Sequence, residues 1–195
     1  MDDIIKQLCK ANELVELYTN RDDYDKFGVG YITACSDNEY LVHTFDEKDL
    51  DDGYYVMHND ATYIIQHHTL YLKNMLQFIK SKPIKYDLPK GYWPELDLYH
   101  VVLNLCQQEP LIAVVRLENG FECMGWVKSF NNEIIEIDRV DGDGMPDGTT
   151  ILRMEDIKMV GFGGLEEKRR TKLYANRTSP TILINNVTHQ IIANI

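Results

Sequence analysis

Two apolar periodicities alternate along the chain. The clearest lies at residues 117–152, where a tight Asn119-Gly120 turn joins two alternating runs and Gly125 interrupts the second. Alternation of this kind marks half-buried strands, and spacing of three and four marks helices. Residues 2–12 predict a short helix with Ile4, Ile5, Leu8 and Cys9 on one stripe and Asp2 or Asp3 at its start. Strands follow at 14–18, 27–34, 40–45, 54–57 and 61–65, and a helix at 69–80 carries Leu72, Met75, Leu76 and Ile79 on one face.

Residues 81–94 break the pattern with three prolines and a glycine, which marks a linker or an ordered arm. Helical spacing returns at Leu98, Val101, Val102, Leu105 and Cys106. Strands are then expected at 111–117, 121–130, 133–140, 151–152 and 157–160, with a long acidic connection over 140–151 and a short helix at 165–174. The predicted organisation is a first unit at 1–80, a linker at 81–97 and a second unit at 98–175. A tail at 176–195 is expected to form an arm or added edge strands.

The two units match as patterns. Leu8-Cys9 meets Leu105-Cys106, Gly30-Tyr31-Ile32 meets Gly125-Trp126-Val127, and Asp52-Gly53 meets Asp147-Gly148. Asn38-Glu39 meets Asn132-Glu133, Asp60 meets Glu155 and Leu70 meets Leu165, all at an offset of 94–97 residues. A constant offset in constant order is the mark of an internal duplication. Each repeat of about 75 residues reads as helix, five short strands, helix. A glycine inside the second strand permits sharp curvature. The fold class expected is therefore mainly β with flanking helices (α+β), as two tandem five-stranded, strongly bent barrels.

The second unit resembles the Sm-like family of small SH3-like barrels over residues 111–160. Leu117, Asn119-Gly120, Gly125, Val127 and Asn131 fit the spacing of that family's first motif, and Ile134 and Ile137 continue it. The first unit keeps Gly30, Ile32, Tyr40 and Val42 but has Arg21-Asp22-Asp23 near the expected Asn-Gly turn. The family's second motif, Arg-Gly before an apolar strand, corresponds to Arg153-Met154 here and to His58-Asn59 in the first unit, so its glycine is absent. The resemblance implies an RNA site at Asn131, Asn132 and Arg153. Duplicated barrels with exposed strand edges point first to a noncatalytic module for protein interaction or self-association, pairing with a partner by strand addition, with RNA binding the alternative.

Charge bears on that choice. The net charge of −11 is shared by both halves, and a negative surface repels phosphate. The one basic cluster is Lys168, Arg169, Arg170 and Lys172, beside Glu166 and Glu167. It offers phosphate contacts or simply the polar side of a helix. Asp141, Asp143 and Asp147 space carboxylates as a calcium loop can, but Pro146 and Leu152 stand where an EF-hand needs glycine and a bidentate acid. The other reading of that loop is an Asp-Gly turn whose carboxylates accept from backbone amides.

His67-His68 is the one adjacent histidine pair. Regular helix or strand geometry would point the two rings apart, so they read as a surface pair rather than a ligand set. No two of Cys9, Cys35, Cys106 and Cys123 lie closer than 17 residues, which predicts buried free thiols. No zinc-protease helix or nucleophile elbow occurs, so no catalytic set and no cofactor are expected. The acidic start at Asp2-Asp3 and the lack of a long apolar run predict a cytoplasmic chain away from membranes.

Overall fold

The computed structural model describes residues 1–46, 48, 51–79 and 86–178. Helix α1 (Asp2–Ala11) opens the chain. Met1 occupies its cap position, so Asp2 and Asp3 act in the first turn, where their charge complements the helix dipole. Asn12 ends the helix in the left-handed region. The strands β1 (Leu14–Tyr18), β2 (Gly28–Cys35), β3 (Glu39–Phe45), β4 (Asp51–His58) and β5 (Ile64–His67) follow, with one 3-10 turn at Asn59–Ala61 before β5. Helix α2 (Leu70–Met75) is shorter than its apolar spacing predicts.

The arm contributes β6 (Gly91–Tyr92), which pairs in parallel with β2. Tyr92 donates its hydroxyl to Asp37 and Lys6 bonds both, so the arm is tied to the first unit at its polar rim. Helix α3 (Leu98–Gln108) leads into β7 (Ile112–Leu117), β8 (Glu122–Phe130), β9 (Ile134–Val140) and β10 (Pro146–Arg153). A 3-10 turn at Met154–Asp156, then β11 (Ile157–Phe162) and helix α4 (Leu165–Thr178) complete the described chain. The tail beyond residue 178 lies outside it.

The protein is mainly β with flanking helices. Its strands form one unclosed sheet of 11 in the order β10-β9-β8-β7-β11-β4-β3-β2-β1-β5, with β6 appended to β2. All pairings but that of β6 are antiparallel. The same succession of helix, four strands, 3-10 turn, strand and helix occurs twice along the chain. The two runs of five strands do not form separate sheets: β4 and β11 pair with Val56 opposite Val160 and Tyr54 opposite Phe162.

Two segments expected as loops are strand. Asp51-Asp52-Gly53 and Pro146-Asp147-Gly148 open β4 and β10 rather than precede them. Gly53 and Gly148 adopt positive φ, 85° and 75°, and register shifts occur beside both. An Asp-Gly pair resembles a hairpin tip in sequence, but a glycine at positive φ also fits a bulge that leaves the ladder running.

Gly30 and Gly125 lie where the neighbouring strand approaches closely. A Cβ on Gly30 would stand 2.3 Å from the His43 carbonyl oxygen and 2.7 Å from Val42 Cγ2. A Cβ on Gly125 would stand 2.2 Å from the Asp138 carbonyl oxygen and 2.7 Å from Ile137 Cγ2. The third strand crosses so closely that only hydrogen fits, at matched places 95 residues apart.

Two large cores result. Ile5, Leu8 and Cys9 of α1 pack with Val15, Ile32, Cys35, Tyr40, Val42 and Met57. The second core gathers Leu98, Val102, Leu103 and Cys106 of α3 with Ile135, Ile137 and Val160. It also takes in Ala34, Leu41, Tyr54 and Val56 from β2, β3 and β4, so α3 covers both runs of strands. All four cysteines are buried and free, and burial pushes the Cys106 thiol up to about 12.

Candidate functional site

Strand pairing leaves two ends of the sheet, β10 and β5. β10 is held inward through its pairing with β9, and Leu152 is buried while Ile151 on the opposite face is 62% exposed. Among the described residues no strand pairs with its other side. β5 is the opposite end, paired with β1 through Leu17 opposite Ile65 and Val15 opposite His67.

The β4–β11 pairing lies in the interior of the sheet. At β4–β11, Val56 and Val160 are both fully buried, and the rings of Tyr54 and Phe162 stack with centroids 5.5 Å apart. Gly53 lies under the chain of β11 and its exit, with the site of a Cβ 2.3 Å from Phe162 O and 2.5 Å from Gly164 N. The backbone N–H of Leu165 donates to Asp52 Oδ1 at 3.2 Å, and Lys168 Nζ lies 3.4 Å from Asp51. Gly148 matches Gly53 in offset and in its positive φ, yet no atom of the described residues lies within 4 Å of its Cβ position. Among the described residues, β10 therefore ends the sheet with a positive-φ glycine that no neighbour approaches.

A groove runs along the same junction. Cavities of about 440 and 310 Å³ meet at Thr19, Asn20, Met57, Arg116 and Met159. Lys158 closes one side, 3.4 Å from Thr19 O and 3.7 Å from Glu118. Arg116 is engaged by Glu122 through two bonds of 2.5 and 3.1 Å. These side chains come from segments about 100 residues apart, and neither run alone has a spacing that signals them.

Asn131, Asn132 and Arg153 are brought to one end of the second run of strands. Asn131 Oδ1 accepts from the N–H groups of Glu133 and Ile134 at 2.8 and 2.9 Å, which fixes the β8–β9 turn. Arg153 pairs in register with Ile134, and Met154 N donates to Glu133 O. The Arg153 guanidinium is held by Glu155 at 2.7 Å and Asp156 at 2.8 Å. Those carboxylates offset the charge with which it would meet a phosphate.

The acidic loop and the basic cluster meet each other. Asp141 Oδ1 accepts from Asp143 N at 2.9 Å and Met145 N at 2.8 Å, and Asp147 pairs with Arg139 at 2.9 Å. Arg169 donates to Gly142 O at 2.7 Å and Arg170 to Val140 O at 3.0 Å, fastening α4 over the turn. Both also bind Glu166, whose carboxyl Arg169 first and Arg170 second hold down to about 2. Lys172 is exposed on the same helix.

No helix among the described residues is long and apolar enough to cross a membrane. Comparison with known protein families and with curated proteins finds no match for the chain.

Proposed function

We propose that the protein is a noncatalytic assembly module made of two duplicated, strongly bent barrel units of the Sm-like kind, and that it associates head to tail with further copies of itself. The observation that carries this is the β4–β11 junction. Its two strands correspond, at the offset of 95, to β10 and β5, the strands at the two ends of the sheet. The covered Gly53, the matching Gly148 with no described atom near its Cβ position, and the matched close approaches at Gly30 and Gly125 support the equivalence.

The junction's register carries over by arithmetic. Val160 opposite Val56 becomes Ile65 of one copy opposite Ile151 of the next, and Gly161 opposite Tyr55 becomes Gln66 opposite Thr150. Strand addition supplies backbone hydrogen bonds, while the Ile65–Ile151 contact supplies apolar burial of the kind that Val56 and Val160 make.

Sedimentation of the full chain across a range of concentrations tests this. Mass should rise with concentration, and Ile151→Lys should weaken association about 10- to 100-fold, the equivalent of losing one buried aliphatic side chain. Gln66→Cys with Thr150→Cys should yield oxidised oligomers of two chains and more, because the native thiols are buried. A chain that stays monomeric at millimolar concentration and forms no such cross-link overturns the proposal.

A further inference from the structure

The turn between β5 and α2 does not keep its two histidines apart. His68 adopts φ 61°, in the left-handed region, where regular geometry no longer governs the direction of adjacent side chains. The rings of His67 and His68 come to a centroid separation of 4.5 Å. Glu13, in the connector from α1 to β1, reaches both: its Oε2 lies 3.3 Å from His67 Nδ1 and 3.0 Å from His68 Nε2. One ligand atom from each of the three lies within 4.8 Å of the other two. The expectation that the pair cannot share an ion rested on helix or strand geometry, and His68 is in neither.

From this geometry we propose that Glu13, His67 and His68 form a binding site for a late first-row divalent cation, with zinc the best match. Two imidazoles and one carboxylate are the donor set of a borderline-soft cation rather than of calcium or magnesium. Bonds of about 2.0–2.1 Å at a tetrahedral angle place neighbouring donors about 3.4 Å apart. The two Glu13 contacts already have nearly that separation, and the histidine nitrogens lie within 4.8 Å of each other. Three protein ligands leave a fourth position for water.

The turn that carries the ligands is fixed from behind. Thr69 Oγ1 accepts from Leu72 N at 3.2 Å, capping α2, and donates to the buried Glu16 at 2.5 Å. The other oxygen of Glu16 accepts from the Tyr18 hydroxyl at 3.0 Å. A ligand pair mounted on a backbone held this way loses little freedom on binding. The side chains of His67 and His68 are 48% and 67% exposed, so a hydrated ion has direct entry. A bound ion would join the α1–β1 connector to the β5–α2 turn, and the site does not depend on the assembly proposed above.

The test is calorimetric titration of the full chain with zinc at neutral pH, at a concentration where the chain is monomeric. Cobalt serves as a spectroscopic stand-in. Wild type should bind one equivalent, show the visible absorption of four-coordinate cobalt, and unfold at a higher temperature when zinc is present. Glu13→Gln and His67→Ala should each weaken binding at least tenfold. His68→Gly, which keeps the positive φ and removes the ligand, should do the same with the metal-free melting temperature unchanged or higher. Absence of stoichiometric binding, or binding that survives all three substitutions, overturns the proposal.

Discussion

Glu39 on β3 accepts the backbone N–H of Leu98 at 2.6 Å, so a buried carboxylate of the first unit holds the first turn of α3. Asp97 caps the same helix through His100 N at 2.8 Å. Two carboxylates therefore share one helix N-terminus, where orphan amides welcome negative charge and low dielectric opposes it. Burial wins at Glu39 and pushes it up to about 7, with Asp97 adding to the shift and the amides of Leu98 and Tyr99 opposing it.

This sets a pH dependence with a definite sign. The native state holds the Glu39 proton to about 7, and an unfolded glutamate releases it near 4.5. The contribution to stability is whole below about 4.5 and is lost as pH rises to about 7. Glu39→Gln keeps an acceptor for Leu98 and removes the titration. Urea midpoints at about pH 5 and about pH 8 should differ less in the variant than in wild type; an equal difference in both would refute the assignment.

Gly30→Ala and Gly125→Ala should each destabilise by about 2–3 kcal/mol, since the new methyl meets a backbone carbonyl that cannot swing away. Gly28→Ala provides the contrast, because the nearest atom to its Cβ position is 4.0 Å away. Chemical denaturation of the three variants would show whether the close crossings matter as described.

Leu103→Ala removes a fully buried side chain from the core that also contains Leu41 and Val56. A loss of about 2–5 kcal/mol is expected. Because that core joins the two runs of strands, calorimetry should record a single transition for wild type and for the variant. Two resolved transitions would mean that the runs unfold independently.

Asp141→Ala should cost about 1–2 kcal/mol by removing the acceptor for two turn amides. Asp141→Asn retains an acceptor oxygen and should retain most of the stability. If added calcium stabilised the wild type and neither variant, the loop would be a metal site instead of a self-capped turn.

Much of the architecture was legible in residue patterns. The alternation around Gly30 and Gly125 marks strands, and the close contacts at those glycines explain why a side chain is absent. The β4–β11 pairing was not legible. It joins backbones about 100 residues apart, and the residues involved, such as Val56 and Val160, look like any strand interior. The strand starts at Asp51 and Pro146 were hidden because Asp-Gly serves a bulge and a hairpin tip equally well. The convergence of His67 and His68 depends on one backbone angle, which residue type does not announce outside glycine and asparagine. Glu39 had no visible signal, because its partner is a main-chain amide far along the chain.

In the proposed assembly, the junction inside the chain also limits how copies can close. A contact between unlike edges generates a ring when the rotation per step divides the circle, and an open helix when it does not. Here every second contact of the series is already made covalently adjacent, through β4 and β11 of one molecule. Units therefore enter an assembly in pairs. A closed ring built as proposed would contain an even number of them, and a rotation suited to an odd ring would instead produce strain at one joint or a filament.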